Sequence, residues 1–446
     1  MARLVLVIAI VWPVLVCGQQ AGAERLPLLL LDTGGQRIPD EPKVAGRLTI
    51  VPAAERGGAD GMDVTKHVQT VVVGVEQRGS SSKRFPKKGY GLETRTSEGR
   101  DLDVSLLGLS REEDWVLHGP YSDKSLVRNA LAYSLASDLS VWTPGVRLVE
   151  LKVNGDYRGV YLLTEKIKQD ANRIDLPQPG EEGDALTGGY VLKIDKMTGS
   201  EGGGFRSRQR LRSARNPPVT FQFHAPGPDE VSPAQRAYVE DWMHRFEQRL
   251  VGEDNEGEEN GYEQLIDDGS FIDFFLVNEL SRNVDGFRIS TYFYKAPDRQ
   301  GGQLYMGPVW DFNIAFGNAD YCDAATTSGW VHYENAHCGG GNWPLPIWWE
   351  RLLEDPRFVN KLSVRWQQLR AGSWSPERLD DRLDELVNIL GDAAARNHDR
   401  WGTLGKEVWP NAYVGETYAA EVEFLRRWVC QRAEWMDGAV ERLTAR

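Results

Sequence analysis

The sequence predicts an α+β fold of two lobes with a C-terminal helical region, on three observations. Extended segments dominate the first part and enclose one helix. The second part mixes helices with a strand pair that carries polar residues, and residues 343–446 read mostly as amphipathic helix. A chain of 446 residues is long enough for one large domain with appendages or for two domains.

In chain order, Leu26 to Val75 shows strand signals, as in RLTIV and TVVVGVEQRG, broken by Pro and Gly clusters. Residues 84–95, RFPKKGYGLETR, give a Pro-punctuated turn into a short strand. A helix is expected over 122–140, with apolar residues at Leu126, Ala130, Leu131, Tyr133 and Leu135 and with Ser122 or Asp123 to cap it. Strands resume in VRLVELKVNGDYRGVYLLTEKI, where Asn154-Gly155 marks a hairpin, and in GGYVLKID, 188–195. Residues 196–235, rich in Gly, Arg, Ser and Pro, read as an exposed loop. From about 232 the pattern is helical, interrupted by the acidic VGEDNEGEENG, whose spacing does not fit an EF-hand calcium loop. Helix returns in GSFIDFFLVNELSRN, and RISTYFYK and QLYMGPVWDF form a strand pair turned at 301–302. No internal repeat is present.

The first residues, MARLVLVIAIVWPVLVCGQQAGAER, carry one early Arg, an apolar run and an A-x-A site at Ala21–Ala23, so residues 1–23 are expected to be a secretory signal. A lipobox at Cys17 is the rival, disfavoured by the bulky Val16. No further run is apolar enough to span a membrane. The net charge of −13 argues against a basic nucleic-acid face and against anionic membranes. In an oxidising compartment Cys322 and Cys338 are the natural disulfide pair, with Cys430 a buried free thiol; a zinc site from Cys322, His332, His337 and Cys338 is the alternative.

Two polar clusters stand against apolar flanks: Asn278, Asn283 and Asp285 in NELSRNVDGFRIS, and Asp311 and Asn313 in WDFN. A hairpin brings the two carboxylates together. With neighbouring amides and no clustered histidines, they favour Mg²⁺ or Mn²⁺ over zinc. Such an ion is usually completed by water and phosphates, and RGSSSKRFPKKGYGLE offers Arg78, Lys83, Arg84, Lys87 and Lys88 as a phosphate clamp, although a basic surface hairpin would read the same. Glu165, Lys166 and Lys168 follow a buried strand and suit either a lobe hinge or a salt-bridge lattice. A Walker A motif is absent.

The stretches RGSSSKRFPKKGYGLE, YSDKSLVRNALAYSLA, NGDYRGVYLLTEKIKQDANRID, GGYVLKID, NELSRNVDGFRISTYFYK and GPVWDFNIAFGN together resemble, in sequence and order, the CotH family, the spore coat protein H kinases, over about residues 70–320. The resemblance implies a divergent protein-kinase-like fold that binds ATP with Mg²⁺ or Mn²⁺ and phosphorylates Ser or Thr of secreted or surface proteins. It divides the chain into the signal, a β-rich segment 24–69, a kinase-like domain 70–342 and a helical region 343–446. It implies Asp285 as the catalytic base and Asp311 as the metal ligand, assisted by Asn283 or Asn313. Lys88, with Lys87 as alternative, would contact phosphate; Arg128 and Asn129 would orient the phosphate-contacting side chains; Arg78, Glu165 and Lys166 complete the nucleotide site. One departure stands out: ordinary kinases hold a second metal with an Asn five residues after the catalytic Asp, and here that position is Ser290. A non-catalytic secreted protein using a tryptophan-rich 310–349 surface, and a metal-dependent phosphohydrolase, are the other readings.

Overall fold

The computed structural model describes residues 26–53, 68–197, 203–211, 218–252, 261–338 and 343–445. The expected signal, Cys17 and most of the acidic 251–261 loop lie outside them. No helix among the described residues is long and apolar enough to cross a membrane.

Seven strands form a closed barrel: β1 (Leu28–Asp32), β2 (Val44–Val51), β3 (Gln69–Arg78), β4 (Gly89–Arg95), β5 (Asp114–His118), β6 (Val146–Val153) and β7 (Asp156–Glu165). Their order is β1-β2-β3-β4-β5-β7-β6, and β1 closes the ring by pairing in parallel with β6. The interior is a separate apolar core that includes Leu29, Leu48, Val73, Leu92, Trp115 and Leu163. Asn154 (φ 48°) and Gly155 (φ 81°) turn β6 into β7 in the left-handed conformation such a two-residue hairpin requires.

The helix expected over 122–140 is shorter, α1 (Arg128–Ala136), because Leu126 takes φ 67° and interrupts it. Asp123 still serves its start from outside, accepting the Arg128 N–H at 2.9 Å. After α2 (Gly183–Leu186) comes a second sheet, ordered β12-β11-β8-β10-β9: β8 (Tyr190–Ile194), β9 (Gly204–Arg206), β10 (Thr220–Ala225), β11 (Thr291–Lys295) and β12 (Leu304–Met306). Two of these strands correct the reading of 196–235 as loop. Phe205, Phe221 and Phe223 are buried together there, and ladder pairing to β8 overrides the Gly- and Arg-rich composition.

Helix α3 (Pro233–Val251) starts with a Ser232/Gln235 capping box and Pro233 in its first turn. Helix α4 (Asp268–Ser281) is apolar nearly all round and buried accordingly, with Asp267 capping it. After α5 (Val331–His337), the C-terminal region supplies α6 (Trp348–Leu352), α7 (Pro356–Ala371), α8 (Pro376–Leu390), α9 (Ala393–Trp401) and α10 (Tyr418–Thr444). These helices grip both sheets. Helix α9 lies on the barrel, where Arg396 forks onto buried Glu150 at 2.8 and 3.0 Å and Trp401 donates to the Arg158 carbonyl. Helix α10 lies on α4, where Arg432 donates to the Glu279 carboxylate at 3.0 Å with both side chains fully buried. Trp348 and Trp349 are core residues stacked on Phe221 and Phe274, so these two are not part of an open surface, while Trp310, Trp330 and Trp343 are half-buried.

Glu247 of α3 is buried against Ser207 and Trp348, which donate at 2.6 and 3.0 Å. Burial outweighs both donors and raises its carboxyl to about 7. The native state therefore keeps a proton that the unfolded chain releases above its ordinary carboxyl range, and stability falls as pH rises from the unfolded value toward 7. Glu247→Gln removes that loss at about 1.4 kcal/mol per pKa unit. Thermal melts should show the variant several degrees more stable than wild type at pH 8, with the gap closing toward pH 5.

Candidate active site

The turn after α4 is built by its own side chains. Arg282 ends the helix at φ 45°, and Asn283 donates to the Asn278 side chain at 3.3 Å while accepting the Asp285 N–H at 3.2 Å. Asn335 of α5 donates to the Gly286 carbonyl at 3.0 Å. Arg288 reaches back to the Val284 carbonyl at 2.9 Å and out to the Cys338 carbonyl at 3.3 Å. Cys322 and Cys338 are joined as a disulfide, which takes both cysteines out of the alternative zinc set, and His332 is hydrogen-bonded to the Glu279 carboxylate at 2.7 Å. The bridge thus anchors the turn that carries Asp285. Cys430 is free, and half-buried where full burial was expected.

The second acidic residue, Asp311, sits in a loop fixed from three sides. Asn129 of α1 accepts the Phe312 N–H at 2.7 Å, the Ser281 carbonyl accepts the Phe316 N–H at 2.7 Å, and Asn318 holds the Asn313 carbonyl at 2.8 Å. Asp311 itself has φ 65°, a conformation that non-glycine residues adopt at a cost when a site demands it. Gly317 closes the stretch because its φ is 73° and a Cβ there would meet the Trp428 ring at 2.5 Å.

Asp311 feels the charge of Asp285, and both feel a third carboxylate, Asp195, just past the end of β8. Burial first, and then Asp285, raises the Asp311 carboxyl to about 6; burial also raises Asp285. None of the three makes an ion pair within 4 Å among the described residues. The cations that act on them from farther away are Lys196, Arg78 and Arg288. Arg78, at the end of β3, lies over the Trp310 ring at 5.2 Å. Lys193 of β8, near Asp195 and Arg78, is lowered from its ordinary value by burial. Beside this polar group lies an apolar wall of Ile167, Ile174, Val191 and Tyr292 with half-buried Trp142 and Trp310. His224 bonds the Ile167 carbonyl at 3.0 Å, and burial holds it neutral down to about 4.

The site therefore unites Asp285, Asp311, Asn313 and Arg78 of the residues read from the sequence. Other candidates are occupied elsewhere. Lys87 is buried beneath α9, donates to Asn397 at 2.7 Å and is displaced well below its ordinary range by burial, so it does not face the aspartates. Lys88 donates to the Lys83 carbonyl at 2.5 Å. Arg128 is paired with Asp123 at 2.6 Å, and Glu165 accepts the Ser110 and Gly145 N–H groups at 3.0 and 2.8 Å. Lys166 pairs with Asp114 at 3.2 Å, and Lys168 with Glu112 and Glu113, which is the salt-bridge lattice. Asn283 spends its amide within the turn. The sequence reading missed Asp195, Lys193 and Lys196. The signal for Asp195 was the same as that of Asp311, an acid that follows a buried strand.

Two carboxylates raised by burial and without close counter-cations, Asp285 and Asp311, with the Asn313 side chain two residues on, would suit a hard divalent ion such as Mg²⁺ or Mn²⁺. The Asp285 turn and the Asp311 loop thus meet beside the end of β8, with Arg78, Lys196 and Arg288 as the cations that act on them. A family model, CotH kinase protein, matches residues 75–436. The chain belongs to the CotH kinase family, and the match runs beyond residue 320 into the C-terminal helices. No curated protein matches it.

Asn129 is the link between α1 and the Asp311 loop. Asn129→Ala leaves the Phe312 N–H unpaired and should lower stability by about 1–3 kcal/mol, whereas Asn129→Asp, which keeps an acceptor, should lose less. Urea unfolding with unchanged m-values checks both.

Proposed function

We propose that the protein is an exported ATP- and Mg²⁺- or Mn²⁺-dependent kinase that transfers the γ-phosphoryl group to Ser or Thr of secreted or surface proteins. The observation that carries this reading is the pairing of Asp285 and Asp311, desolvated and without ion pairs, between Arg78 and the Lys193/Lys196 strand end. The chain's family membership supplies the reaction class. The disulfide and the apolar N-terminal segment support export.

In this reading Asp311 and Asn313 hold a divalent cation, which when bound neutralises phosphate charge. Arg78, Lys193 of β8 and Lys196 just beyond it face the remaining phosphate oxygens. The apolar wall by Ile167 and Trp142 receives the nucleotide base. Asp285 takes the proton from the acceptor hydroxyl as its oxygen bonds to the γ-phosphorus and the bond to the ADP oxygen breaks. Burial raises Asp285 from its ordinary value, which makes it a better base than an exposed carboxylate.

Calorimetry with ATP and Mg²⁺ or Mn²⁺ should show metal-dependent binding that Asp311→Ala abolishes. Asp285→Ala should keep that binding and lower phosphate transfer to protein acceptors by about 10²–10⁴-fold. Transfer retained in both variants would overturn the assignments. Binding of partners without any nucleotide binding would favour a non-catalytic scaffold, and phosphate release without an acceptor a phosphohydrolase.

A further inference from the structure

Ser290 stands where ordinary kinases place the asparagine that holds a second metal. Its hydroxyl is too short to take over an amide's reach. The sheet supplies something else at that point. In the β11–β8 ladder Thr291 pairs with Ile194, so the antiparallel register sets Ser290 opposite Asp195. Asp195 Oδ1 accepts the Ser290 N–H at 3.4 Å and the Lys196 N–H at 2.8 Å. Those bonds fix the carboxylate at the strand end.

Tyr292, two residues beyond Ser290, points to the same place. Its side chain is 5 % exposed, and its hydroxyl makes no hydrogen bond among the described residues. The charges that act on it are Asp195, Arg78 and Asp311. A hydroxyl left without a partner on a largely buried side chain, in the field of two carboxylates, is one that a hydrated cation or a phosphate oxygen would satisfy.

The spacing decides how many ions are involved. Among the described residues, the only three acidic groups with oxygen atoms all within 4.8 Å of one another are Glu112, Glu113 and Asp114, and these are committed to Lys168, Lys166 and Arg173. Asp195, Asp285 and Asp311 are therefore too widely spread to share one octahedral ion, whose opposite ligands lie about 4.2 Å apart.

We propose that Asp195 is the ligand of a second divalent cation, bound together with nucleotide phosphates and distinct from the ion at Asp311. It thereby replaces, from the neighbouring strand, the asparagine missing at position 290. This rests on the kinase reading of Asp311 and Asp285.

The test counts Mn²⁺ bound to the full chain by electron paramagnetic resonance, at saturating non-hydrolysable ATP analogue and corrected for Mn²⁺ held by free nucleotide. Wild type should bind two ions per chain. Asp195→Ala should keep the tighter ion and weaken the other by at least the ~10–100-fold that supporting groups of metal sites cost. Asp195→Asn, which preserves the acceptor for the Ser290 N–H, should weaken the second ion less while keeping the first; it carries the test if the alanine variant does not fold. Two ions bound with unchanged affinities in the Asp195 variants, or a single ion in wild type, would overturn the proposal while leaving the Asp311 site standing. Loss of all Mn²⁺ binding in Asp311→Ala, with both ions kept in wild type, would support the kinase reading separately. No nucleotide-dependent Mn²⁺ in wild type would overturn both.

Discussion

The charge at Asp311 is the constraint from which most of the molecule follows. An aspartate raised to about 6 by burial and by a second aspartate costs free energy wherever it is ionised. Left to itself, the loop would relax by turning the carboxylate to water. It is prevented by contacts that reach beyond the loop, to α1, to the end of α4, to Asn318 and to the Trp428 ring against Gly317. The left-handed backbone at Asp311 is held by the same anchors. Stored repulsion of this kind is useful only if something cationic arrives to relieve it, and so the scaffold and the site are one argument.

Holding two carboxylates on different segments requires that the segments do not drift apart. The Asp285 turn is tied to α5 by Asn335 and to the disulfide-bridged loop by Arg288. That region is tied in turn to the C-terminal helix: Arg432 donates to the Glu279 carbonyl and carboxylate and to the Gly329 carbonyl, and Arg282 donates to the same Gly329 oxygen. Glu279 stays below its ordinary carboxyl value although it is fully buried, because His332 and Arg432 oppose the effect of burial. Such a pair adds little net stability over an apolar one but is costly to break. Its value here is positional, since α10 fixes α4 and α5 in one register. On the other side α9 seals the barrel hairpin with Arg396, Asn397 and Trp401. The helical region is therefore part of the frame, not an appendage.

The parts of this arrangement that were legible in the sequence are local. The Asn154-Gly155 turn, the apolar helix at 268–281, the cysteine pair and the acids at 285 and 311 each announce themselves within a few residues. What was not legible depends on partners far along the chain. Lys87 and Arg78 look alike in RGSSSKRFPKKGYGLE, yet β3 delivers Arg78 onto Trp310 while β4 turns Lys87 under an asparagine 310 residues away. Strands β9 and β10 lie in a Gly- and Arg-rich stretch and form because β8 offers β10 an edge and β10 in turn offers one to β9. Glu165 suits either a hinge or a salt-bridge lattice in sequence, but two loop N–H groups claim it.

Asp195 shows how far register can substitute for motif. A metal ligand need not lie at a fixed distance after the catalytic aspartate if the next strand is paired to a neighbour whose last residue is an acid. Strands β11 and β8 are buried on both faces, with Val191 and Tyr292 in one apolar cluster and Leu192 and Phe293 in another, so the register that pairs Thr291 with Ile194 is held because a shift of one strand by one residue would send its side chains to the opposite cluster. The hydrophobic pattern thus fixes the carboxylate beside Ser290 without any requirement on Ser290 itself. Read from the loop alone, the site lacks a ligand. Read across the sheet, it has one, placed by the packing that also forms the core.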